Sequence, residues 1–138
     1  MIHWSGYDWE VRTTDGGLEG PGPNVFSDSA HNVWVDRKGR LHLKITKSRG
    51  RWLCAELMNA QSLGYGTYSW SLVSSVGRFD RNVVLGLFTW SDDPAYNDRE
   101  IDIEVSRFGD SSLPTNAQWT VQPYTTDGNW QRFDQPSV

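Results

Sequence analysis

The chain has 138 residues, a formal net charge of −4 and one cysteine, Cys54. This length fits a single hydrophobic core, so we predict one domain over residues 1–138. The acidic balance gives no field that attracts nucleic acid or an anionic membrane, and no stretch approaches the ~20 apolar residues of a membrane helix. A lone cysteine excludes an intrachain disulfide. Three histidines without ligand spacing and the lack of a phosphate-binding loop disfavour metal-hydrolase and nucleotide-binding functions.

Strand signals recur at short intervals from the N-terminus onwards, and helix signals are nearly absent. This pattern indicates an all-β fold with antiparallel strands, arranged as a sandwich or barrel. In chain order, we predict strands over residues 7–12, 32–36, 40–46, 52–60, 66–74, 82–89, 99–106, 115–124 and 130–133.

Two of these segments have distinctive patterns. Gly39 lies in the turn between the second and third predicted strands, at a position that tolerates a positive φ. Residues 82–89 are almost continuously apolar, which is expected of a central strand buried on both faces. A polar loop over residues 91–98 then leads into the next strand.

The predicted strand count is low for a closed sandwich, and the ninth strand ends close to the last residue. A sheet edge that is left bare favours association with another chain. We therefore expect a domain that lacks part of its C-terminal region, with a homo-oligomer or an exchange of strands between two copies as one way to complete it. The N-terminus lacks a basic segment followed by an apolar run, so no signal peptide is visible.

Eight tryptophans and five tyrosines are a heavy aromatic load for an acidic, hydrophilic chain. Tryptophan faces suit sugar rings, because one face of a pyranose is apolar while its edges form hydrogen bonds. Large aromatic side chains also fill sandwich cores, which is their more frequent use. The composition therefore allows a carbohydrate-binding surface without requiring one.

The most informative segment is Glu100-Ile101-Asp102-Ile103-Glu104. Side chains alternate along a strand, so the three acids point one way and the isoleucines, which we expect to face a core, point the other. Crowded carboxylates raise the pKa of at least one member, as a general acid near neutral pH requires. Glycosidases that retain configuration use two carboxyl groups about 5–5.5 Å apart. The alternative is an edge strand with a solvated acidic face.

This acidic run resembles the active-site strand of glycoside hydrolase family 16, the group of laminarinases, lichenases, agarases and xyloglucan transglycosylases. Further segments resemble that family in the same order along the chain. They are residues 29–33 with 39–43, 54–56 with 64–68, 87–90, and 115–117 through 126–128. The five-residue form of the acidic run is closest to the lichenases and the xyloglucan enzymes.

The resemblance implies a concanavalin A-like jelly-roll sandwich and a secreted, retaining endo-glycosidase. Its substrate would be a β-linked, glucan-like polysaccharide, with water or another sugar as the acceptor. Glu100 would be the nucleophile, Asp102 the assisting acid and Glu104 the acid/base. No cofactor is required by this chemistry. The family often has a structural calcium, although no complete ligand set is recognisable here.

Five further residues are candidates for binding the sugar. Three match positions that line the cleft in the lichenase branch, and two lie in phase on the strand after the acids, so both could face the same groove. They are Asn32, Glu56, Trp90, Gln118 and Gln122. The first three have ordinary structural alternatives as a turn residue, an exposed strand acid and rim packing. Arg99, directly before Glu100, would lower the pKa of the nucleophile, bind an anionic sugar, or simply end a strand in solvent.

Two other functions remain open. A non-catalytic, lectin-like carbohydrate-binding module would use the same scaffold, since a fold does not dictate a function. Such a module has no need for both glutamates, which favours the enzyme. A calcium-dependent adhesion domain would use the acidic triplet with Asp92, Asp93 and Asp98 as oxygen ligands, but these acids lack a known cation-loop spacing.

Overall fold

A computed structural model describes residues 1–136, apart from the side chain of Asn97. Nearly all of the regular structure is antiparallel β-sheet, which confirms the predicted all-β class. The chain divides into two compact units, Met1–Thr67 and Tyr68–Val138. No helix in the described residues has the length and apolar character that a membrane span requires.

The first unit has seven short strands within the described chain. They are β1 (Ile2–Trp4), β2 (Tyr7–Val11), β3 (Val33–Val35), β4 (Leu41–Leu43), β5 (Thr46–Ser48), β6 (Arg51–Leu53) and β7 (Leu57–Asn59). Strands β1, β2 and β7 form one sheet, while β3 with β4 and β5 with β6 form two hairpins. Gly39, in the turn between β3 and β4, has a φ of +74°, as the hairpin prediction required.

The second unit is a four-stranded antiparallel sheet. Its strands are β8 (Leu85–Phe88), β9 (Ile101–Val105), β10 (Ala117–Val121) and β11 (Trp130–Phe133), in the spatial order β11-β10-β9-β8. One end of the sheet rests on a small apolar core. This core consists of Val76, Val105 and Ala117, with Leu72, Phe79, Leu85 and Phe133 packed against it.

The segment 82–89 was predicted to be a central strand buried on both faces, and this prediction was wrong. Only Leu85–Phe88 is a strand, and among the described residues it pairs with β9 alone. Val84 is 46% exposed and Phe88 37% exposed. A short apolar run cannot by itself distinguish a covered central strand from an edge strand with apolar residues on both sides.

Three other predicted strands also differ from the structure. The segment 40–46 is divided between β4 and the first residue of β5. The described chain has no strand between β7 and β8, so the segment 66–74 is irregular. Its alternating aromatics form a local stack instead, with the rings of Tyr68 and Trp70 6.4 Å apart. The segment 52–60 is divided between β6 and β7, because Cys54 leaves the ladder and pairs with the chain at Val25 and Ser27.

Candidate active site

The acidic strand begins at a well-defined junction. A 3-10 helix, Pro94–Arg99, precedes it, and the side chain of Asp93 caps this helix by accepting a hydrogen bond from the backbone of Ala95 at 2.9 Å. Glu100 is extended (φ −74°, ψ 134°), so the helix ends and the strand conformation begins at this residue. The hydroxyl of Thr89 accepts from the Ile101 amide at 3.0 Å. The backbone position of Glu100 is therefore set by both neighbouring segments.

The three acids share one side of β9, and this side is the more buried one at its centre. Asp102 is only 7% exposed, while Glu100 and Glu104 are half-buried. Ile101, on the opposite side, is 48% exposed. The expectation that the isoleucines face a core was therefore wrong for Ile101, because the core lies under the far end of the sheet, at Val105.

Asp102 lies in a polar network that the next strand provides. The Gln122 side chain donates to its carboxylate at 3.1 Å and accepts from the backbone amide of Tyr124 at 3.0 Å. Both polar atoms of the glutamine amide group are therefore hydrogen-bonded. Thr120, which is 3% exposed, lies directly across from Asp102. Gln118, the cross-strand neighbour of Glu104, donates to the Thr120 hydroxyl at 3.0 Å. Both predicted glutamines thus lie on the side of the sheet that presents the acids.

Both glutamates have elevated pKa values. Burial raises the pKa of Glu100 to about 7, with further contributions from the charge of Asp102, a hydrogen bond to Asp102 and the charge of Glu104. Burial and the charge of Asp102 also raise the pKa of Glu104, and the guanidinium of Arg132 acts in the opposite direction. The site therefore favours the protonated forms of its two glutamates.

Sequence reasoning missed Arg132, which lies on the same side of the sheet. It pairs with Gln118 across β10 and β11, and Gln118 pairs in turn with Glu104. The strand 130–133 was predicted correctly, but only the register of the sheet shows that its third residue lies in phase with the acids. Once that register is known, the alternation of side chains is sufficient to find Arg132.

Sequence reasoning also missed two aromatic residues that flank the acids. Phe88 on β8 lies opposite Asp102, and Trp130 on β11 lies opposite Thr120, so one row of the sheet runs from Trp130 through Asp102 to Phe88. Trp130 is 51% exposed. The predicted residue Trp90, just beyond β8, is 58% exposed, and its indole nitrogen donates to the carboxylate of Asp92 at 2.9 Å. The exposed parts of these rings provide apolar surface near the acidic strand.

The predicted residues Asn32 and Glu56 belong to the first unit and have structural partners there. Asn32 is 1% exposed, and its amide nitrogen donates to the carbonyls of Lys44 and Leu53 and to a hydroxyl. A side chain so buried holds chain segments together and has no surface to offer a sugar. Glu56 accepts a hydrogen bond from Arg12 at 2.9 Å in an ion pair that leaves 15% of its side chain exposed.

Two charged features of the sequence remain, namely the acids considered as calcium ligands and Arg99. No group of three or more acidic, histidine or cysteine side chains among the described residues could hold a metal ion. The guanidinium of Arg99 lies 4.3 Å from the centre of the Tyr96 ring, and its charge is not among the influences on Glu100. Arg99 is therefore a stacked residue at the end of the 3-10 helix in this structure.

No known protein family, curated protein or solved structure matches the chain. The chemistry of the site is therefore the guide to its function. Two glutamates with elevated pKa values flank a hydrogen-bonded aspartate, with glutamine donors on one neighbouring strand and exposed aromatic rings nearby. Such a site can donate a proton, supply a carboxylate nucleophile and stack against a flat apolar ring face.

Proposed function

We propose that the chain is a retaining endo-glycosidase that cleaves, or transfers, segments of a β-linked, glucan-like polysaccharide. One observation carries the proposal: Glu100 and Glu104 flank the buried Asp102 on one side of β9, and both have elevated pKa values. Stability does not account for this arrangement, because three acids on one face repel each other. Crowded acids with shifted pKa values are instead frequent at functional sites.

In the proposed reaction, the carboxylate of Glu100 attacks the anomeric carbon and forms a glycosyl ester. The bond to the leaving oxygen breaks at the same time, and that oxygen takes the proton of Glu104. The Glu104 carboxylate then removes a proton from water or a sugar hydroxyl, whose oxygen attacks the anomeric carbon and releases Glu100. Two inversions give net retention, and no cofactor takes part.

Asp102 has a supporting role in this scheme. Its hydrogen bond to Glu100 raises the pKa of that residue, so the proton of Glu100 must be lost before attack. Substrate binding would expel water and place the apolar sugar face on exposed rings such as Trp130 and Phe88. The donor from Gln122 then holds the Asp102 side chain in position beside the reacting carboxyl.

The wider proposal includes the concanavalin A-like jelly roll, secretion and a structural calcium. The antiparallel sheet of the second unit, with the acids on one side, supports the jelly roll but is also compatible with other antiparallel folds. Strand exchange between two copies also remains a prediction, and light scattering coupled to size-exclusion chromatography would measure it.

A panel of β-glucans, agarose and carrageenan, assayed for released reducing sugar, tests the proposed activity. Hydrolysis of at least one substrate is expected from the natural chain, and Glu100→Gln should abolish it. Glu104→Ala should impair substrates with poor leaving groups far more than activated aryl glycosides. Equal losses on both classes would show that Glu104 is not the acid.

A carbohydrate-binding module without catalysis is the second candidate. The exposed rings of Trp90 and Trp130 support it, because stacking on sugars needs no carboxyl pair. Binding of the same polysaccharides with no released sugar, unchanged by Glu100→Gln, would favour this function over the enzyme.

A further inference from the structure

Arg132 lies on the side of the sheet that presents the acids. The register puts Glu104, Gln118 and Arg132 in one row across β9, β10 and β11. Neighbouring strands are ~4.8 Å apart, so about 10 Å separates the backbones of the two charged residues. Two long side chains on one face can span that distance over the intervening glutamine.

Hydrogen bonds fix the guanidinium in this position. It donates to the carbonyl of Ser106 at 2.9 Å, to the carbonyl of Thr115 at 2.7 Å and to the hydroxyl of Thr115 at 3.0 Å. Ser106 is two residues beyond Glu104, and its backbone follows directly from β9. The guanidinium also lies over the ring of Phe108, 5.3 Å from its centre. The cation is thereby anchored to the end of the catalytic strand itself.

One donor of this guanidinium remains unused. The Nη1 atom of Arg132 is buried and has no hydrogen-bond partner among the described residues. A buried donor without a partner loses its hydration without compensation, which costs free energy. A donor left without a partner can form a new bond when a negative charge forms nearby during a reaction.

We infer that Arg132 is a positioning residue for Glu104. Its fixed guanidinium stabilises the carboxylate that is left after Glu104 gives its proton to the leaving oxygen. This inference rests on the proposed function. The same cation keeps Glu104 able to act as a base in the second step. Without it, the pKa of Glu104 would be higher, a smaller fraction of Glu104 would be ionised, and removal of a proton from the acceptor would be slower.

The groups that act on Glu104 are few. Asp102 on the same strand raises its pKa, while Arg132 lowers it, and Glu100 adds a further acid to the triplet. From the neighbouring strands, Gly86 and Gln118 lie opposite Glu104, and neither titrates. Arg132 is therefore the one cation that offsets the acids at this position in the described chain.

The test compares two neutral variants, Arg132→Met and Arg132→Gln, with the charged variant Arg132→Lys. Arg132→Gln keeps an N–H donor at the chain position from which Arg132 Nε donates to the Thr115 hydroxyl, so it offers a second neutral variant if Arg132→Met does not fold. Carboxyl carbon NMR of the full chain, labelled at glutamate and assigned with Glu104→Gln, measures the pKa of Glu104 directly. The pH profile of kcat/KM is measured in parallel.

In the folded neutral variants, the pKa of Glu104 should rise, and the alkaline limb of the profile should move upwards by about one pH unit or less, as expected for loss of one nearby opposite charge. Arg132→Lys should leave both close to the natural values. Arg107→Met removes a nearby arginine that exerts no charge effect on Glu104, and it serves as the control with no expected change.

Two results would overturn the inference: an unchanged Glu104 pKa in a folded neutral variant, or an equal change in Arg132→Lys. The NMR titration does not require turnover, so the two proposals can fail separately. A shifted pKa without any hydrolysis by the natural chain would reject the glycosidase alone. Hydrolysis without a shifted pKa would reject the role of Arg132 alone.

Discussion

Replacing Glu100 with glutamine should make the protein more stable at alkaline pH while removing the proposed activity. The folded state raises the pKa of Glu100 from 4.5 to about 7. The folded chain thus holds this proton more tightly than the unfolded chain does. The stability linked to Glu100 is therefore fully present below pH 4.5 and is lost as the pH rises through about 7.

The size of the effect follows from the same values. Each pKa unit corresponds to about 1.4 kcal/mol, so a rise from 4.5 to about 7 sets an upper bound of about 3 kcal/mol. Glu100 is half-buried, and solvent screening at such a side chain reduces the effect to about 1 kcal/mol. Glutamine occupies nearly the same volume without a charge, so it should recover that amount at high pH.

Urea denaturation at about pH 4.5 and about pH 8, followed by tryptophan fluorescence, measures this difference. Glu100→Gln should match the natural chain at the lower pH and exceed its free energy of unfolding by about 1 kcal/mol at the higher pH. Glu10→Gln is the matched control, because Glu10 is an exposed strand glutamate opposite Met58. A Glu100→Gln variant that is no more stable than the natural chain at about pH 8 would show that the ionised Glu100 does not destabilise the folded state.

Three further changes test individual parts of the account. Gln122→Leu removes the side-chain donor to buried Asp102 and should lower the free energy of unfolding by about 1–3 kcal/mol, measured by urea denaturation at neutral pH. Asn32→Ala should cost a similar ~2 kcal/mol in thermal unfolding, because three hydrogen bonds are lost at a buried site, yet sugar binding by the folded variant should be unchanged. Trp130→Ala should weaken binding of β-glucan oligosaccharides by roughly tenfold in calorimetry with little loss of stability, since the ring is half-exposed. Unchanged affinity in Trp130→Ala would place the sugar elsewhere.

Local chemistry was sufficient to predict several elements. Residues 130–133 form β11 as predicted, and Gly39 adopts the positive φ that the β3–β4 turn needs. The alternation in residues 100–104 places the acids together, and the same period puts Gln118 and Gln122 on their side. The turn and the alternation follow from the geometry of one local segment, while the position of the glutamines beside the acids also depends on the pairing of β9 with β10.

Predictions that required tertiary context failed. Residues 82–89 were assigned to the centre of a sheet because burial was inferred from composition, whereas coverage depends on which neighbours pair with the strand. Asn32 was assigned to a cleft, but it is buried by contacts with residues 44, 46 and 53. Arg132 was missed because its relation to Glu104 exists only through the register of β9, β10 and β11.

The proposed double displacement can be tested by trapping its glycosyl-enzyme intermediate. A 2-deoxy-2-fluoro β-glucan oligosaccharide with an activated leaving group forms the ester faster than water can cleave it, so the sugar should stay on the protein. Mass spectrometry of the digested chain should then find one added glycosyl unit on the peptide that contains residues 100–104, specifically on Glu100. With a substrate that the chain hydrolyses, the absence of label, or label on Glu104 or outside this strand, would contradict the proposed double displacement.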